Sequence, residues 1–241
     1  MKVALCLHGY FDSFSDRESK GIDGFKHIKK NILDKANVDI FIHSWDVKNE
    51  GLIRNSYEKW IKRIKLEFQE DFSPLIQQNE IHKTYLNPGY VKPQSVFSHF
   101  ASIQRSFELM KETEIKYDCV IKARFDLGRI NRRTSGPGLM SPYPVQCISF
   151  NPELSMNNLY MANWQHIHTD GPADMWFYSN YENMLHFTQI FEHIKSQLKF
   201  NSDYYNNSDK VEFTNTIRLY RYFLQKVGLW DKKVLLDSVW E

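Results

Sequence analysis

The sequence predicts an α/β protein, a single domain in which helices flank a mixed, Rossmann-like sheet. Its first 46 residues alternate strand, helix and strand, and a long amphipathic helix leads into a third apolar strand that ends near residue 123. This alternation is typical of sheets covered by helices. The 241 residues suit one domain, because single cores stop growing at roughly 250–300 residues.

The first strand–helix–strand unit begins at the N-terminus. Val3–Leu7 is an apolar run that ends at His8-Gly9, and a continuous apolar run is typical of a buried parallel strand. Apolar residues recur at helical spacing over Ile22–Leu33, and Val38–His43 is a second β-rich run. Two strands joined by a helix are expected to lie parallel.

Two helices and a third strand are predicted next. Residues 56–70 have amphipathic spacing and are predicted to be helical. Ser95–Lys111 carries apolar residues at intervals of three and four, the strongest helical pattern in the chain. Tyr117–Ala123 is an apolar run that predicts a third buried strand, and Arg124-Phe125-Asp126 follows it directly.

The second half has weaker patterns. Val145–Phe150 and Asn158–Trp164 are strand candidates that would pair antiparallel. Residues 174–199 and 209–227 are predicted to be helical, and a short strand or tail is expected near residues 233–236.

Composition excludes several classes of protein. A charged content of 25% and a hydrophobic content of 42% exclude a disordered or collagen-like chain. The formal net charge of +2 argues against an obligate nucleic-acid binder. No run of 18 apolar residues is present, so we expect no membrane span. The three cysteines form no CxxC pair, and we expect buried thiols in a reducing, cytoplasmic environment.

Polar clusters follow all three predicted strands of the first half. They are His8-Gly9-Tyr10, the segment His43–Asp46, and Arg124-Phe125-Asp126. Ligands of open α/β sheets bind at the carboxyl ends of the strands. The three clusters should therefore meet at one edge of the sheet and form a ligand site.

Asp126 is the most informative residue of these clusters. It lies near Arg124 and Arg129, and a carboxylate among guanidinium groups suits a phosphorylated ligand held through a divalent metal. Mg²⁺ and Mn²⁺ prefer oxygen ligands and commonly take one or two carboxylates together with substrate phosphates. The alternative is an Arg–Asp ion pair at the end of a strand.

Several segments resemble one family of enzymes. YDCVIKARFDL at 117–127 is similar to the signature of small GT-A glycosyltransferases from bacterial polysaccharide clusters and large DNA viruses, in which Arg-x-Asp replaces Asp-x-Asp. KVALCLHGYFDSF at 2–14, VDIFIHSWD at 38–46 and the helix at 95–111 resemble, in the same order, other segments of that family. GPADMWFYSNYENM at 171–184 and the segment 211–229 resemble its later segments more loosely.

The resemblance implies a GT-A fold with a nucleotide-sugar-binding half, residues 1–130, and an acceptor-binding half, residues 131–241. It implies transfer of a sugar from a nucleotide donor to a glycan hydroxyl, with UDP favoured and GDP left open. By position, the residues implied to contact the donor are His8, Gly9 and Tyr10 at the nucleotide, Asp46 near the base or ribose, Arg124 and Arg129 near the phosphates or sugar, and Asp126 at a bound Mn²⁺ or Mg²⁺.

A glycosyltransferase also needs a base for the attacking hydroxyl. Asp174 is the first candidate, because it matches the family's Asp in the later segment, and Asp170 is the second. A base of this kind fits single displacement with inversion at the anomeric carbon. The alternative is that Asp174 forms the N-cap of the helix predicted to follow it.

Two other functions remain open at this point. The chain would be a non-catalytic carbohydrate-binding or glycan-assembly protein if Asp126 and Asp174 did not face one cleft. It would be another transferase of activated groups if the donor were not a nucleotide sugar, although no P-loop motif is present. The basic stretch at 60–65 is expected to be a solvated helix face, with peripheral membrane contact as the lesser option.

Overall fold

The computed structural model describes residues 1–12, 21–81, 91–128, 147–164, 167–207 and 213–237. Within these ranges the chain forms one sheet of seven strands covered by helices. The strands are β1 (Lys2–Gly9), β2 (Asn37–Ser44), β3 (Ile61–Leu66), β4 (Cys119–Arg124), β5 (Leu159–Ala162), β6 (Trp176–Ser179) and β7 (Lys233–Leu236). The α-helices are α1 (Gly21–Ile28), α2 (Glu50–Tyr57), α3 (Ser73–Gln78), α4 (Pro93–Lys111), α5 (Tyr181–Met184), α6 (Ile190–Gln197), α7 (Asp203–Asn207) and α8 (Thr216–Lys226).

The strand order is β3-β2-β1-β4-β6-β5-β7. The strands β3, β2, β1 and β4 are parallel to one another. The strand β6 is antiparallel to β4 and β5, and β7 is parallel to β5. This arrangement confirms the predicted α/β class with a mixed sheet. The parallel pair formed by the first two strands and the short strand near residue 233 are confirmed as well.

Each face of the sheet has its own apolar core. On β1, Val3, Leu5 and Leu7 belong to one core together with side chains of α1 and α2. Ala4 and Cys6, which alternate with them, belong to the other core, with α4, α6 and α8. Because side chains alternate across a strand, a strand buried on both faces appears in the sequence as one continuous apolar run.

The helix α4 forms one wall of the cleft that is described below. Pro93 lies in its first turn, where a residue without an N–H is tolerated. Its buried aromatic and aliphatic residues recur at three and four and pack on the sheet, as the sequence predicts. Its first turns lie beside the carboxyl ends of β1 and β2. There Ser102 Oγ accepts a hydrogen bond from the Gly9 N–H, and the Ser98 carbonyl accepts one from Trp45 Nε1.

The predicted helix over residues 56–70 is wrong. Helix α2 ends at Tyr57, and Ile61–Leu66 forms the edge strand β3. Ile61 pairs with Ile40 and Ile64 pairs with Ile42, because a bulge next to Ile61 inserts one extra residue. The bulge therefore brings two residues three apart onto the same face, and their spacing imitates a helix. The basic residues between them lie on the exposed edge, where charges oppose pairing with another chain.

The predicted helix over residues 174–199 is wrong in its first part. Residues Trp176–Ser179 form β6, and helical structure begins only at Tyr181. Trp176 and Tyr178 lie in one core, and Phe177 lies in the other. With both faces buried, this strand has no alternation of polar and apolar residues that would distinguish it from a helix.

The predicted pairing of two strands in the second half is also corrected. Residues 147–150 are not in a strand, and residues 145–146 lie outside the described ranges. The strand β5 pairs with β6 and β7 instead. The carbonyl of Cys147 accepts a hydrogen bond from Trp176 Nε1 at 3.1 Å, and that of Ser149 accepts one from the Tyr178 hydroxyl at 3.1 Å. Side chains of β6 thus bind this segment to the sheet.

Gly24 allows α1 to approach the loop that carries Asp126. A methyl group at Gly24 would overlap the backbone carbonyl oxygen of Phe125. We expect Gly24→Ala to lower the free energy of unfolding by about 3 kcal/mol, as overpacking against backbone does. Gly51→Ala in α2 is the matched control, because a methyl group there meets no atom within 4 Å. It should raise the free energy by about 0.5–1 kcal/mol. Urea unfolding measures both, and equal effects would contradict the close approach.

Two further expectations concern the chain as a whole. Cys6, Cys119 and Cys147 are buried free thiols, as predicted. Among the helices in the described ranges, none combines the length and the apolar character needed to cross a membrane.

Candidate functional site

A cleft of about 490 Å³ lies at the carboxyl ends of the parallel strands. His8, Gly9 and Tyr10 from the end of β1 line it, together with Arg124 and Asp126 from the end of β4. These residues come from two of the three polar clusters that the sequence predicts to converge. The third cluster contributes Trp45, which also lines the cleft. The predicted meeting of the three strand ends is therefore found.

Residues from the second half and from α4 complete the cleft. Ser95, Ser98 and His99 line it from the first turns of α4. Thr216 lines it from the first turn of α8, and Asp174 lines it from the turn before β6. Two helix N-termini, which carry partial positive charge, therefore face a cleft that also holds two carboxylates.

Arg124 joins the two carboxylates. Its Nε and Nη2 donate to the two oxygens of Asp126 at 2.8 and 2.7 Å, and its Nη1 donates to Asp174 Oδ2 at 3.1 Å. The side chains of Arg124, Asp126 and Asp174 are 30%, 18% and 20% exposed. They are therefore sufficiently enclosed for the ion pairs to be strong, and they still face the cleft.

The environment of Asp174 keeps its carboxylate ionised. Burial alone raises the pKa of this carboxyl, but the attraction of nearby positive charge, above all that of Arg124, outweighs burial and lowers the pKa to about 2. Asp174 does not form the N-cap of a helix, because β6 follows it. The N-cap alternative is therefore excluded, and the carboxylate is left to interactions in the cleft.

Lys122 lies directly beneath this pair and is fully buried. Its ammonium donates a hydrogen bond to the backbone carbonyl of Asp174. It also lies 5.1 Å from the ring centre of Phe177 and 5.0 Å from that of Tyr220, within the range of cation–π attraction. Burial lowers the pKa of Lys122 to about 7, with Asp174 opposing and Arg124 assisting the shift.

Two histidines form the floor of the cleft. His8 and His99 meet edge to face, with ring centres 5.2 Å apart. His99 Nε2 lies 2.9 Å from the Tyr220 hydroxyl, with which it is hydrogen-bonded, and 3.7 Å from Asp174 Oδ2. Burial lowers the pKa of His99 to about 3 despite the nearby Asp174. The ring is therefore neutral at physiological pH.

A hydrogen-bond network fixes the end of β1 against α4. The N–H of Gly9 donates to Ser102 Oγ at 3.0 Å, and the carbonyl of Gly9 accepts from Ser44 Oγ at 2.7 Å. His43 is fully buried, lies 2.8 Å from Ser102 Oγ and reaches Glu67 at 3.0 Å with its other nitrogen. Gly9 has a φ of +95°, which favours glycine, so the chain turns at this point and presents Tyr10 to the cleft.

Two predicted site residues are described but do not line the cleft, and a third is not described. Asp46 is not among the described residues that line the cleft, and its buried carboxylate accepts from the Asp12 N–H at 3.0 Å and the Asn49 amide at 2.8 Å. Asp170 is likewise not among them, and it forms an ion pair with Arg218 at 3.2 Å. Arg129 lies outside the described residues.

The sequence pattern singles out neither His99 in the cleft nor Lys122 beneath it. His99 is a single polar residue within the helical pattern of α4, although serine residues recur at intervals of three and four beside it. Lys122 lies within an apolar strand. A lysine inside a run that is otherwise apolar is a usable signal, because lysine is rarely fully buried unless it has a partner.

The residues of the cleft could supply only some of the ligands that a metal ion needs. Among the described residues, no group of three or more His, Cys, Asp or Glu could hold a metal ion by itself. Asp126 accepts two hydrogen bonds from Arg124, but a carboxylate has about four lone-pair sites. Asp126 therefore fits as one ligand of an ion whose other ligands are phosphate and water, which is common for Mg²⁺.

What the cleft binds has to be inferred from its own side chains. Comparison with protein-family models, curated proteins and solved structures finds no match for this chain.

Proposed function

We propose that this protein is a nucleotide-sugar-dependent glycosyltransferase of the GT-A type, which moves a sugar from a UDP donor to a glycan hydroxyl in the cytoplasm. The observation that carries the proposal is the position of Asp126 and Asp174. They are distant in the sequence, line one cleft at the carboxyl ends of the strands and share the Arg124 guanidinium. One carboxylate beside a guanidinium suits a metal ion bound to phosphate, and a second carboxylate in the same cleft suits a general base.

The donor diphosphate would lie against Arg124 and the N-terminal turns of α4 and α8. The guanidinium keeps N–H groups that are not used by the two aspartates, and phosphates favour the partial positive charge of helix N-termini. Asp126 would provide one oxygen ligand to Mn²⁺ or Mg²⁺. Such an ion, when bound, stabilises the negative charge on the departing nucleoside diphosphate.

Asp174 would accept the proton of the attacking hydroxyl, with inversion at the anomeric carbon. With its pKa at about 2 it is a weak base, and general bases work best with a pKa near the working pH. A diphosphate that draws Arg124 towards itself would weaken the ion pair with Asp174 and raise this pKa. Donor binding would thus prepare the base.

A thermal-shift screen tests the proposal. UDP, GDP, CMP and a panel of their sugars are added with and without Mn²⁺, and the midpoint of unfolding is measured. A ligand at 100 times its dissociation constant adds about 2.7 kcal/mol. In a chain of this size 1 kcal/mol raises the midpoint by about 2–4 °C, so the expected shift is about 5–11 °C. A shift with one nucleotide supports a donor site. If no nucleotide or sugar nucleotide gives a shift, the binding-protein alternative is favoured.

Two variants then separate binding from catalysis. Asp126→Ala should abolish any Mn²⁺-dependent part of the shift and the metal-dependent turnover, because it removes the proposed oxygen ligand. Asp174→Asn should leave the nucleotide shift near the wild-type value and lower turnover by about 10²–10⁴-fold, the usual contribution of a general base. Full turnover in either variant would remove that residue from the mechanism.

A further inference from the structure

His8 is a buried polar side chain whose hydrogen-bonding capacity is unused. It is 1% exposed and lines the cleft. Neither of its ring nitrogens has a hydrogen-bond partner within the described part of the chain. Buried polar groups are nearly always paired, and an unpaired one destabilises the folded state. A ligand in the cleft would supply the hydrogen bonds that His8 lacks.

The surroundings of His8 determine which hydrogen bonds its ring can form. Its backbone is in register with His43 on one side and Arg124 on the other, and its ring contacts His99 of α4. Burial, together with the nearby Lys122, holds the pKa of His8 well below its usual value. The ring is therefore neutral and presents one N–H donor and one acceptor nitrogen.

A hydroxyl group can pair with either the N–H donor or the acceptor nitrogen of this ring. It donates one hydrogen bond and accepts others, so it can bind either nitrogen of a neutral imidazole. Phosphate and carboxylate groups at neutral pH offer mainly acceptors and interact more strongly with a cation such as the neighbouring Arg124. The combination of a neutral ring and an adjacent guanidinium therefore divides the floor of the cleft into a hydroxyl position and an anion position.

We propose that His8 binds a hydroxyl group of a sugar in the cleft and thereby selects hydroxylated over deoxygenated ligands. Binding of a hydroxyl group by His8 requires only that the ligand contain a sugar. That this sugar is the transferred sugar of the donor, and not the ribose, rests on the proposed function. A site that hydrogen-bonds a hydroxyl discriminates strongly against an analogue without it, because its own polar groups are then left unpaired.

The first test uses the protein without ligand. His8→Leu removes two unpaired polar atoms, so it should raise the midpoint of thermal unfolding or leave it unchanged. His193→Leu in α6 is the matched control, because the buried Nε2 of His193 also has no partner among the described residues and His193 is not among those that line the cleft. A clear loss of stability in His8→Leu but not in His193→Leu would mean that His8 serves the fold, which overturns the proposal.

The second test compares ligands with and without a transferred sugar. The probes are UDP, UDP-glucose, UDP-galactose, GDP and GDP-mannose, with affinities measured by calorimetry. In the wild type a matching sugar nucleotide should bind more tightly than its nucleotide. In His8→Leu this gain should fall about tenfold, the equivalent of one hydrogen bond, while the affinity for the nucleotide alone is retained. His8→Asn, which keeps a donor and an acceptor, should restore part of the gain, and His193→Leu should behave as wild type.

The outcomes separate this proposal from the proposed function. An unchanged gain in His8→Leu overturns the role of His8 and leaves the transferase proposal intact. An equal loss for the nucleotide alone moves the hydroxyl to the ribose and overturns the assignment to the transferred sugar. If the wild type binds no nucleotide, methyl glucoside, galactoside and mannoside are tested by saturation-transfer NMR. Binding that requires His8 then supports hydroxyl recognition without a transferase, and the absence of binding overturns it.

Discussion

Arg124→Met is expected to lower the free energy of unfolding by about 3 kcal/mol at pH 7, near the lower end of the range for breaking buried ion pairs. The variant leaves Asp126 and Asp174 enclosed in the cleft without the cation that joins them in the wild type. Methionine keeps most of the apolar volume of the arginine side chain, so the loss reports charge and hydrogen bonding rather than a cavity. Urea unfolding followed by circular dichroism measures it.

The effect of Arg124→Met should depend on pH. The pKa of Asp174 is about 2 in the folded protein and about 4 in an unfolded chain. Its stabilisation is therefore fully present above about pH 4 and is lost as the pH falls towards 2. In the variant the pKa of Asp174 rises, because the cation is gone and a like charge lies nearby. The difference between wild type and variant should thus be largest at pH 7 and shrink below pH 4.

Arg54→Met is the matched control for Arg124→Met. Arg54 and Glu50 form an exposed ion pair at 2.7 Å, one helical turn apart in α2. Exposed pairs of this kind contribute about 0.3–0.5 kcal/mol, so this control should have a small effect with little dependence on pH. Equal losses in the two variants would show that Arg124 does not join the carboxylates as described.

Lys122→Met is expected to leave the protein folded and at least as stable as the wild type at pH 7. Methionine fills a similar volume, and replacing a buried charge with an apolar residue is often neutral or stabilising. The more decisive result is the pH dependence. The pKa of Lys122 is about 7 in the folded protein and about 10.4 when unfolded, so the unfolded chain binds more protons between these values.

The wild type should therefore gain stability relative to Lys122→Met as the pH rises from about 7 to about 10. The gain is at most about 4 kcal/mol, because one pKa unit corresponds to about 1.4 kcal/mol. The exposed Lys116 provides the control variant Lys116→Met, which should show no such gain. Equal pH profiles for Lys122→Met and wild type would contradict the buried, perturbed amine.

Lys122→Met should also weaken the site that lies above it. The ammonium binds the backbone of Asp174 and packs on Tyr220, whose hydroxyl bonds His99. Loss of this support would displace the carboxylate, and a displacement of about 1 Å can cost about 10²-fold in rate. For the proposed transferase reaction, we expect turnover to fall while the affinity for the nucleotide is retained. A fall in affinity alone would instead place Lys122 in ligand binding.

The sequence by itself determined three strands of the first half, the helix α4 and part of the site. The strands β1, β2 and β4 are buried on both faces, and for this reason they appear in the sequence as continuous apolar runs. The order of strand, helix and strand then requires their polar ends to meet at one edge. Arg124 and Asp126 were found in this way.

Tertiary contacts decided the elements whose local pattern is ambiguous. A bulge gives β3 the spacing of a helix, and burial on both faces hides the strand character of β6. In both cases a neighbouring strand supplies the backbone hydrogen bonds that a helix would form internally. That strand is distant in the sequence, so the local pattern of residues does not reveal it.

The same reason explains which site residues could be predicted. A carboxylate directly after a strand is visible in the sequence, but its partner is not. Asp46 is bound by the Asp12 N–H and Asn49, Asp170 by Arg218, and only Asp174 reaches Arg124. All of these are aspartates in loops or turns, and the packing of distant segments alone determines which of them meets the guanidinium.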